Sequence, residues 1–289
     1  MESKKEWIVL LYYKFVAVAN PRSEVDIQRA LLSGLGIRGR IIVSHEGING
    51  TLAGDRQAVD IYISYMNQHG LFGGIDFKES VAIELPFKKL IIKARDEIVT
   101  LGCPVDLNNR GIYIGPEELH GLYGRGEDFV IVDMRNNYEY NVGRFQNAVQ
   151  PDTKIFKELP DKIRSLAQYK GRKVVTYCTG GIRCEKASAL LVEAGFDNVY
   201  QLEGGIVKYL EQYPNGYFEG KNFVFDERMV TNTDTPSGQK VLASCEHCGQ
   251  ACDRYIDCDQ PECHRLFICC LECEKEQVGL CPDSLLVSR

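Results

Sequence analysis

The stretch Tyr177 to Lys186, YCTGGIRCEK, sets two cysteines six positions apart around a Gly-Gly pair, with an arginine directly before the second. It can be read as a metal clip, a disulfide or a loop that holds a reactive sulfur, and its flanks decide among these. Upstream, KVVTY (Lys173 to Tyr177) is a short apolar run of the kind found in strands buried on both faces. Downstream, EKASALLVEAGF puts Ala187, Leu190, Leu191 and Ala194 at helical spacing and stops at Gly195. Strand, Cys178, the loop Thr179, Gly180, Gly181 and Ile182, then Arg183 and a helix: this order places a thiol at the carboxyl end of a strand, where open α/β sheets put their sites. Gly180 and Gly181 can take positive φ, so successive backbone N–H groups can turn inward as an anion-holding nest. Those amides, the helix N-terminus and Arg183 all favour a sulfur anion. A fall of about two units from the ordinary ~8.5 corresponds to roughly 2.7 kcal/mol and would leave Cys178 mostly ionised at neutral pH.

Working outward, residues 101–220 alternate β and α, which predicts a mostly parallel sheet covered on both faces. DFVIVDMR ends a strand at Asp133 and Arg135, read as supports of the loop, and FKELPDKIRSLAQY has helical spacing at Leu159, Ile163 and Leu166. NVYQLEGGIVKYLEQYP supplies one more strand and helix. Residues 1–100 read as βαββαβ, a ferredoxin-like (acylphosphatase-like) sandwich, with a helix capped at Ser23, a Gly-containing turn at Glu46 to Gly50, and a second helix burying Val59, Tyr62, Ile63 and Met66. The fold class is therefore multidomain α/β and α+β, divided as 1–100, 101–220 and 221–289.

In FKKLIIKAR, strand alternation separates Leu90, Ile92 and Ala94 from Lys89, Lys93 and Arg95. The basic face is either a solvated edge that discourages aggregation or a contact for an RNA backbone, helped by Arg38 and Arg40. His45 is either a substrate contact or a maker of a local hydrogen bond.

Nine of the twelve cysteines lie between Cys245 and Cys281, spaced C-x2-C-x3-C-x5-C-x4-C-x5-C-C-x2-C-x7-C. An odd cluster in a chain without a visible secretion signal favours metal over a disulfide framework. Cys245, Cys248, Cys270 and Cys273 form two C-x2-C knuckles suited to one tetrahedral structural zinc, and Cys252, Cys258, Cys263 and Cys281 are candidates for a second. His247 and His264 are possible substitutes, and metal-free thiols or an iron–sulfur centre are the competing readings. Ahead of this tail, Asp226 to Lys240 has the composition of a linker.

Charge is uneven: +1 over residues 1–100, −2 over 101–220 and −5 over 221–289, so nucleic acid would have to be met by a local patch. Seven uncharged residues between Glu6 and Lys14 are too few to span a bilayer, and the expectation is a cytoplasmic protein with no membrane contact. No flavin or nicotinamide motif is read in the sequence, nor a haem C-x-x-C-H.

Loop size separates two chemistries. Tyrosine phosphatases resemble this design but place five residues between Cys and Arg, whereas the four here resemble the rhodanese pattern C-x-x-G-x-R, whose cysteine carries a persulfide. YEYNVGRFQNAV also resembles the rhodanese segment EYxxGHIxGA, with Arg144 in place of the His, while Cys184 stands where rhodaneses commonly have Ser or Thr. Cys184 is either a resolving thiol, able to discharge an adduct on Cys178 as a disulfide, or a small buried helix residue.

SHEGINGTLAG (Ser44 to Gly54), CTGGIRCEKASA (Cys178 to Ala189), LEGGI (Leu202 to Ile206) and the cysteine run together resemble the rhodanese-related tRNA uridine hydroxylases over nearly the full length. The resemblance implies oxygen-dependent 5-hydroxylation of the tRNA wobble uridine, with tRNA as partner, molecular oxygen as co-substrate and Cys178, Arg183 and Cys184 at the active site. The alternative is a sulfurtransferase delivering a Cys178 persulfide to cyanide, a protein or a tRNA.

Overall fold

The computed structural model describes residues 6–231, 236 and 239–287; part of the expected linker, residues 232–235, 237 and 238, lies outside the described residues. Two compact units result: residues up to Pro104 with Phe225–Arg228, and Val105–Val224 with the described residues from Met229 onward.

The first unit contains β1 (Trp7–Phe15), α1 (Pro21–Gly34), β2 (Arg38–Ser44), β3 (Gly47–Gly54), α2 (Arg56–Gln68), β4 (Lys78–Ala82) and β5 (Leu90–Ala94). Its sheet runs β4-β1-β3-β2-β5, the ferredoxin-like order with one strand added: β5 lies parallel to β2 on the edge. The expected single last strand is thus two. Leu10, Tyr12, Ile41, Val43, Leu52 and Ile92 pack with Val25, Leu32, Val59, Tyr62 and Met66 of the helices to form the core.

Two local expectations are corrected. Helix α1 is capped by Asn20, whose side chain accepts from the Ser23 N–H at 3.1 Å, not by Ser23. Pro21 at the first helical position explains the shift, because it has no N–H to leave unpaired there. The β2–β3 turn is also tighter than read: Ser44 pairs with Gly47, leaving His45 and Glu46 as a two-residue hairpin loop. Gly34 to Gly39 spells G-x-G-x-x-G, yet it leaves a helix and enters a strand, the reverse of the order that a phosphate cradle needs.

The second unit contains β6 (Ile112–Ile114), α3 (Pro116–Gly124), β7 (Val130–Asp133), α4 (Asn137–Val142), β8 (Gly143–Phe145), α5 (Leu159–Lys162), β9 (Val174–Tyr177), α6 (Ile182–Glu193), β10 (Val199–Leu202) and α7 (Gly205–Gln212). The parallel sheet has the order β6-β10-β9-β7. Every residue of β7 and β9 is buried, as their apolar runs predicted. The expected helix over FKELPDKIRSLAQY is broken into short 3-10 segments, Phe156–Glu158 and Ile163–Tyr169, around the four-residue α5. Pro160 gives the reason: without an N–H it opens a helix and cannot sit inside one.

The cysteine-rich tail belongs to the same compact unit. Strands Tyr255–Asp257 and Leu266–Ile268 pair antiparallel, and Tyr255 and Ile268 pack with Val142 and Phe223. The Tyr255 hydroxyl donates to the Tyr138 carbonyl, and Lys221 meets Asp253 at 2.7 Å. Among the described residues no helix is long and apolar enough to cross a membrane.

Candidate active site

Cys178 follows the last residue of β9, and Gly181 is the N-cap of α6 with φ +103°, a conformation open to glycine at little cost. This left-handed turn aims the Gly181 N–H at the Cys178 Sγ, 3.1 Å away, while the Gly181 carbonyl accepts from the Cys184 N–H at 3.0 Å. Of the two glycines expected to turn inward, only Gly181 has a positive φ, and it is the Gly181 N–H that meets the sulfur. Cys178 and Cys184 are both fully buried.

The stretch LEGGI explains itself here. A side chain at Gly205 would meet the Cys178 carbonyl at 2.4 Å and the Thr179 carbonyl at 2.6 Å, so only glycine lets α7 approach the loop. The first turn of α7 then donates from Ile206 to the Cys178 carbonyl (3.0 Å) and from Val207 to the Thr179 carbonyl (3.1 Å). The loop is gripped between two helix N-termini.

Burial alone would push the Cys178 thiol up. The Cys184 thiol, the Arg183 charge and the backbone N–H groups of Arg183 and Gly181 outweigh it and bring Cys178 down to about 6. Cys184 moves the other way: burial and the neighbouring Cys178 sulfur push it well above the ordinary thiol value. The two sulfurs are thus driven apart, Cys178 toward the thiolate and Cys184 toward the thiol.

Beside the charge that favours the Cys178 anion, Arg183 has a second role. Its guanidinium makes a buried two-pronged contact with Glu139, at 2.5 and 2.7 Å, and reaches the Thr179 hydroxyl at 3.3 Å. Glu139 also accepts from the Asn136 N–H at 3.1 Å, completing a capping box on α4. Asp133 and Arg135 support the loop from below: they pair at 2.6 Å with both side chains fully buried, and the Tyr177 hydroxyl donates to Asp133 at 2.6 Å. Arg144 lies over the Tyr140 ring, 4.7 Å from its centroid.

In the first unit, parallel in-register pairing of Arg40 with Ile91 and Ile42 with Lys93 puts these residues on one sheet face, opposite Ile41, Val43 and Ile92. Arg38, Lys89 and Arg95 fall on that same side by alternation, and all five cations are exposed. The structure brings them together away from the two helices. His45 stands apart in the hairpin loop, with its Nδ1 2.9 Å from the Val18 carbonyl, as the local reading expected.

The tail gathers its thiols into two groups. The ligand atoms of Cys245, Cys248, Cys270 and Cys273 all lie within 4.8 Å of one another, as do those of Cys258, Cys263 and Cys281. Sulfur atoms bound at ~2.3 Å around a tetrahedral zinc stand about 3.8 Å apart. Cys248 to Cys270 measures 3.8 Å and Cys263 to Cys281 3.7 Å, so the four-thiol set fits such an ion, while the second group supplies three of the four donors. Backbone N–H groups support the sulfurs: Cys273 donates to Cys270 and Cys270 to Cys245, each at 3.4 Å, and Cys281 donates to Cys258 at 3.3 Å. Cys252, expected in the second set, is outside it; it packs instead with Tyr255 and Ile268. The Ser284 hydroxyl is 3.3 Å from both Cys258 and Cys281 Sγ.

Three family models match in succession: the UPF0176 acylphosphatase like domain over residues 7–98, the Rhodanese-like domain over 115–212 and the Rhodanase C-terminal model over 219–284. A Chlamydia abortus protein named tRNA uridine(34) hydroxylase is 40% identical over 288 residues, covering 97% of this chain and 87% of the relative. A Cytophaga hutchinsonii protein of the same name is 38% identical, covering 96% and 89%. The chain belongs to the tRNA uridine(34) hydroxylase family. A rhodanese-like domain from Anabaena solved in solution is 26% identical, with a TM-score of 0.33, and covers 44% of this chain and 86% of its own.

Against this family background, the residue that the motif reading passed over is Glu139. Its signal was present as Asn136-x-x-Glu139, the spacing of a capping box, in the same segment that was quoted for its likeness to rhodaneses. What the spacing could not give is the second partner, Arg183, 44 residues away.

Proposed function

We propose that this chain hydroxylates C5 of the wobble uridine of tRNA, using molecular oxygen, with Cys178 as the covalent catalyst. The observation that carries this reading is the Gly181 N–H directed at the Cys178 sulfur in the glycine loop of a chain that matches the hydroxylases along 97% of its length. The Cys178 thiolate adds to C6 of the uracil, which makes C5 electron-rich and able to react with oxygen. The Gly181 N–H and the Arg183 backbone hold the sulfur as an anion before attack and again as it leaves. Because Cys178 is buried, binding of the anticodon has to uncover it.

Arg38, Arg40, Lys89, Lys93 and Arg95 form the backbone-binding face for tRNA in this reading, and the protein works in the cytoplasm, where that tRNA is found. The two cysteine groups of the tail hold structural zinc. Zinc there ties the ends of the tail together and supplies no step of the reaction.

Nucleoside mass spectrometry of tRNA from cells lacking the protein tests the reading: 5-hydroxyuridine and its derivatives should be lost. It should return with the wild-type gene and not with Cys178→Ser. Loss of a thiolated nucleoside instead, with cyanide-dependent sulfur transfer from thiosulfate, would favour the sulfurtransferase alternative.

A further inference from the structure

Hydroxylation by oxygen leaves an account of electrons to complete. Oxygen takes up four electrons on its way to one hydroxyl and one water, and the C5–H bond of uridine supplies two. The remaining two must come from a reductant. Near the sulfur that would hold the substrate stands a second thiol, Cys184, fully buried like Cys178 and pushed up by that burial and by the charge of the Cys178 sulfur. Gly181 ties the two residues together: its N–H meets the Cys178 Sγ at 3.1 Å, and its carbonyl accepts from the backbone N–H of Cys184 at 3.0 Å, which sets Cys184 in the helix turn that follows the loop.

We infer that Cys178 and Cys184 together form a dithiol that supplies the two missing electrons, so that each hydroxylation ends with a Cys178–Cys184 disulfide. The inference rests on the hydroxylase reading. The steps balance as follows. The Cys178 thiolate forms the S–C6 bond, and the C5=C6 π pair moves into an enolate. That enolate gives two electrons to oxygen, forming the C5–O bond of a hydroperoxide that is protonated from the Cys184 thiol. The Cys184 thiolate attacks the distal oxygen; the O–O bond breaks, leaving a sulfenic acid on Cys184 and a C5 alkoxide that takes a proton from water to become the hydroxyl. Loss of the C5 proton and breakage of the S–C6 bond release 5-hydroxyuridine and the Cys178 thiolate. That thiolate attacks the Cys184 sulfur, forming the disulfide and releasing the sulfenic oxygen as water. The sum is uridine, oxygen and two thiols giving 5-hydroxyuridine, water and one disulfide. An external thiol or dithiol then reduces the disulfide.

The protonation pattern suits these roles. The sulfur that must add to the base is the one held as a thiolate by backbone N–H groups, and the sulfur that must deliver a proton keeps its proton. Formation of the bond needs the two sulfurs to close to roughly 2.0 Å, and the six-residue separation across a glycine loop leaves the chain able to bend to that contact.

The test is a single-turnover experiment on the full chain, reduced and freed of thiol under anaerobic conditions, then given air and tRNA from cells lacking the protein. The inference expects about one 5-hydroxyuridine per chain, one Cys178–Cys184 disulfide by peptide mass spectrometry, and repeated turnover only after dithiothreitol is added. Many turnovers without thiol, or product without the disulfide, would overturn it. Cys184→Ser and Cys184→Ala should each lower product at least about 50-fold and release hydrogen peroxide; wild-type product from a folded variant would also overturn it. The wild-type stoichiometry decides the matter even where a variant does not fold. If the wild type makes no hydroxylated base at all, the hydroxylase reading itself fails, a result distinct from product without disulfide.

Discussion

The glycine loop and the cysteine tail both concentrate sulfur, and they control it by opposite means. In the loop, the Cys178 sulfur takes the Gly181 N–H at a helix start, and its surroundings push it toward the thiolate. In the tail, seven thiols stand in two groups close enough to share an ion, and their N–H···S contacts run from one ligand to the next. Reactivity follows from the first arrangement, because the sulfur's electron pair is free to attack. The second arrangement suits stability, because a metal shared by those sulfurs would tie up their electron pairs and link distant parts of the chain.

Several changes should break or sharpen this contrast, beginning with the largest effect. Cys178→Ser should lower formation of 5-hydroxyuridine by at least about 10³-fold while leaving the melting temperature within a few degrees of wild type, since a serine hydroxyl is not ionised at neutral pH. The readout is nucleoside mass spectrometry beside calorimetry; full product from the variant would remove Cys178 from the chemistry. Removing the metal should do the converse. Each structural zinc contributes on the order of 10–16 kcal/mol of binding free energy, so chelation should open the tail to proteolysis, with two zinc ions released per chain by elemental analysis. Zinc content unaffected by Cys270→Ser or Cys281→Ser would contradict the assignment.

Glu139→Gln addresses the support of the loop. It leaves the Arg183 charge buried against a neutral amide, and a loss of about 3–5 kcal/mol of stability is expected in denaturant unfolding. A change under about 1 kcal/mol would mean that Arg183 finds another partner.

The pH dependence has a definite sign. Cys178 has its folded value lowered to about 6, below the ~8.5 of an unfolded thiol, so its ionisation adds stability that is complete above about 8.5 and is lost as pH falls through about 6. Its alkylation in the presence of tRNA should therefore rise with a midpoint near pH 6, and Cys184→Ala should move that midpoint upward by removing a donor. The smallest effect is expected at the basic sheet face: Arg40→Ala with Lys93→Ala should reduce the salt dependence of tRNA binding, lowering the log–log slope by roughly 1.4. An unchanged slope would return that face to a solvated edge.

How far the sequence reached can be judged from particular residues. The loop was legible because every signal for it is local: the apolar run KVVTY, two glycines, an arginine at fixed spacing and a helix pattern lie within a few turns of chain. The two C-x2-C knuckles were legible for the same reason, since two residues between cysteines set the reach of both sulfurs to one point. Errors arose where a local signal had a competitor. Ser23 is a good cap, but Asn20 followed by Pro21 is a better one. Helical spacing in FKELPDKIRSLAQY was overridden by Pro160.

What the sequence by itself determined, then, is the chemistry available: a thiol at a strand end, a nest to ionise it, a second thiol after it and paired knuckles downstream. Tertiary structure alone decided the partners. Glu139 for Arg183, Gly205 against the loop carbonyls, β5 beside β2, and the exclusion of Cys252 from the second thiol group all join residues far apart in the chain. Such pairings depend on which surfaces the folded core brings into contact, and no spacing along the chain encodes that distance.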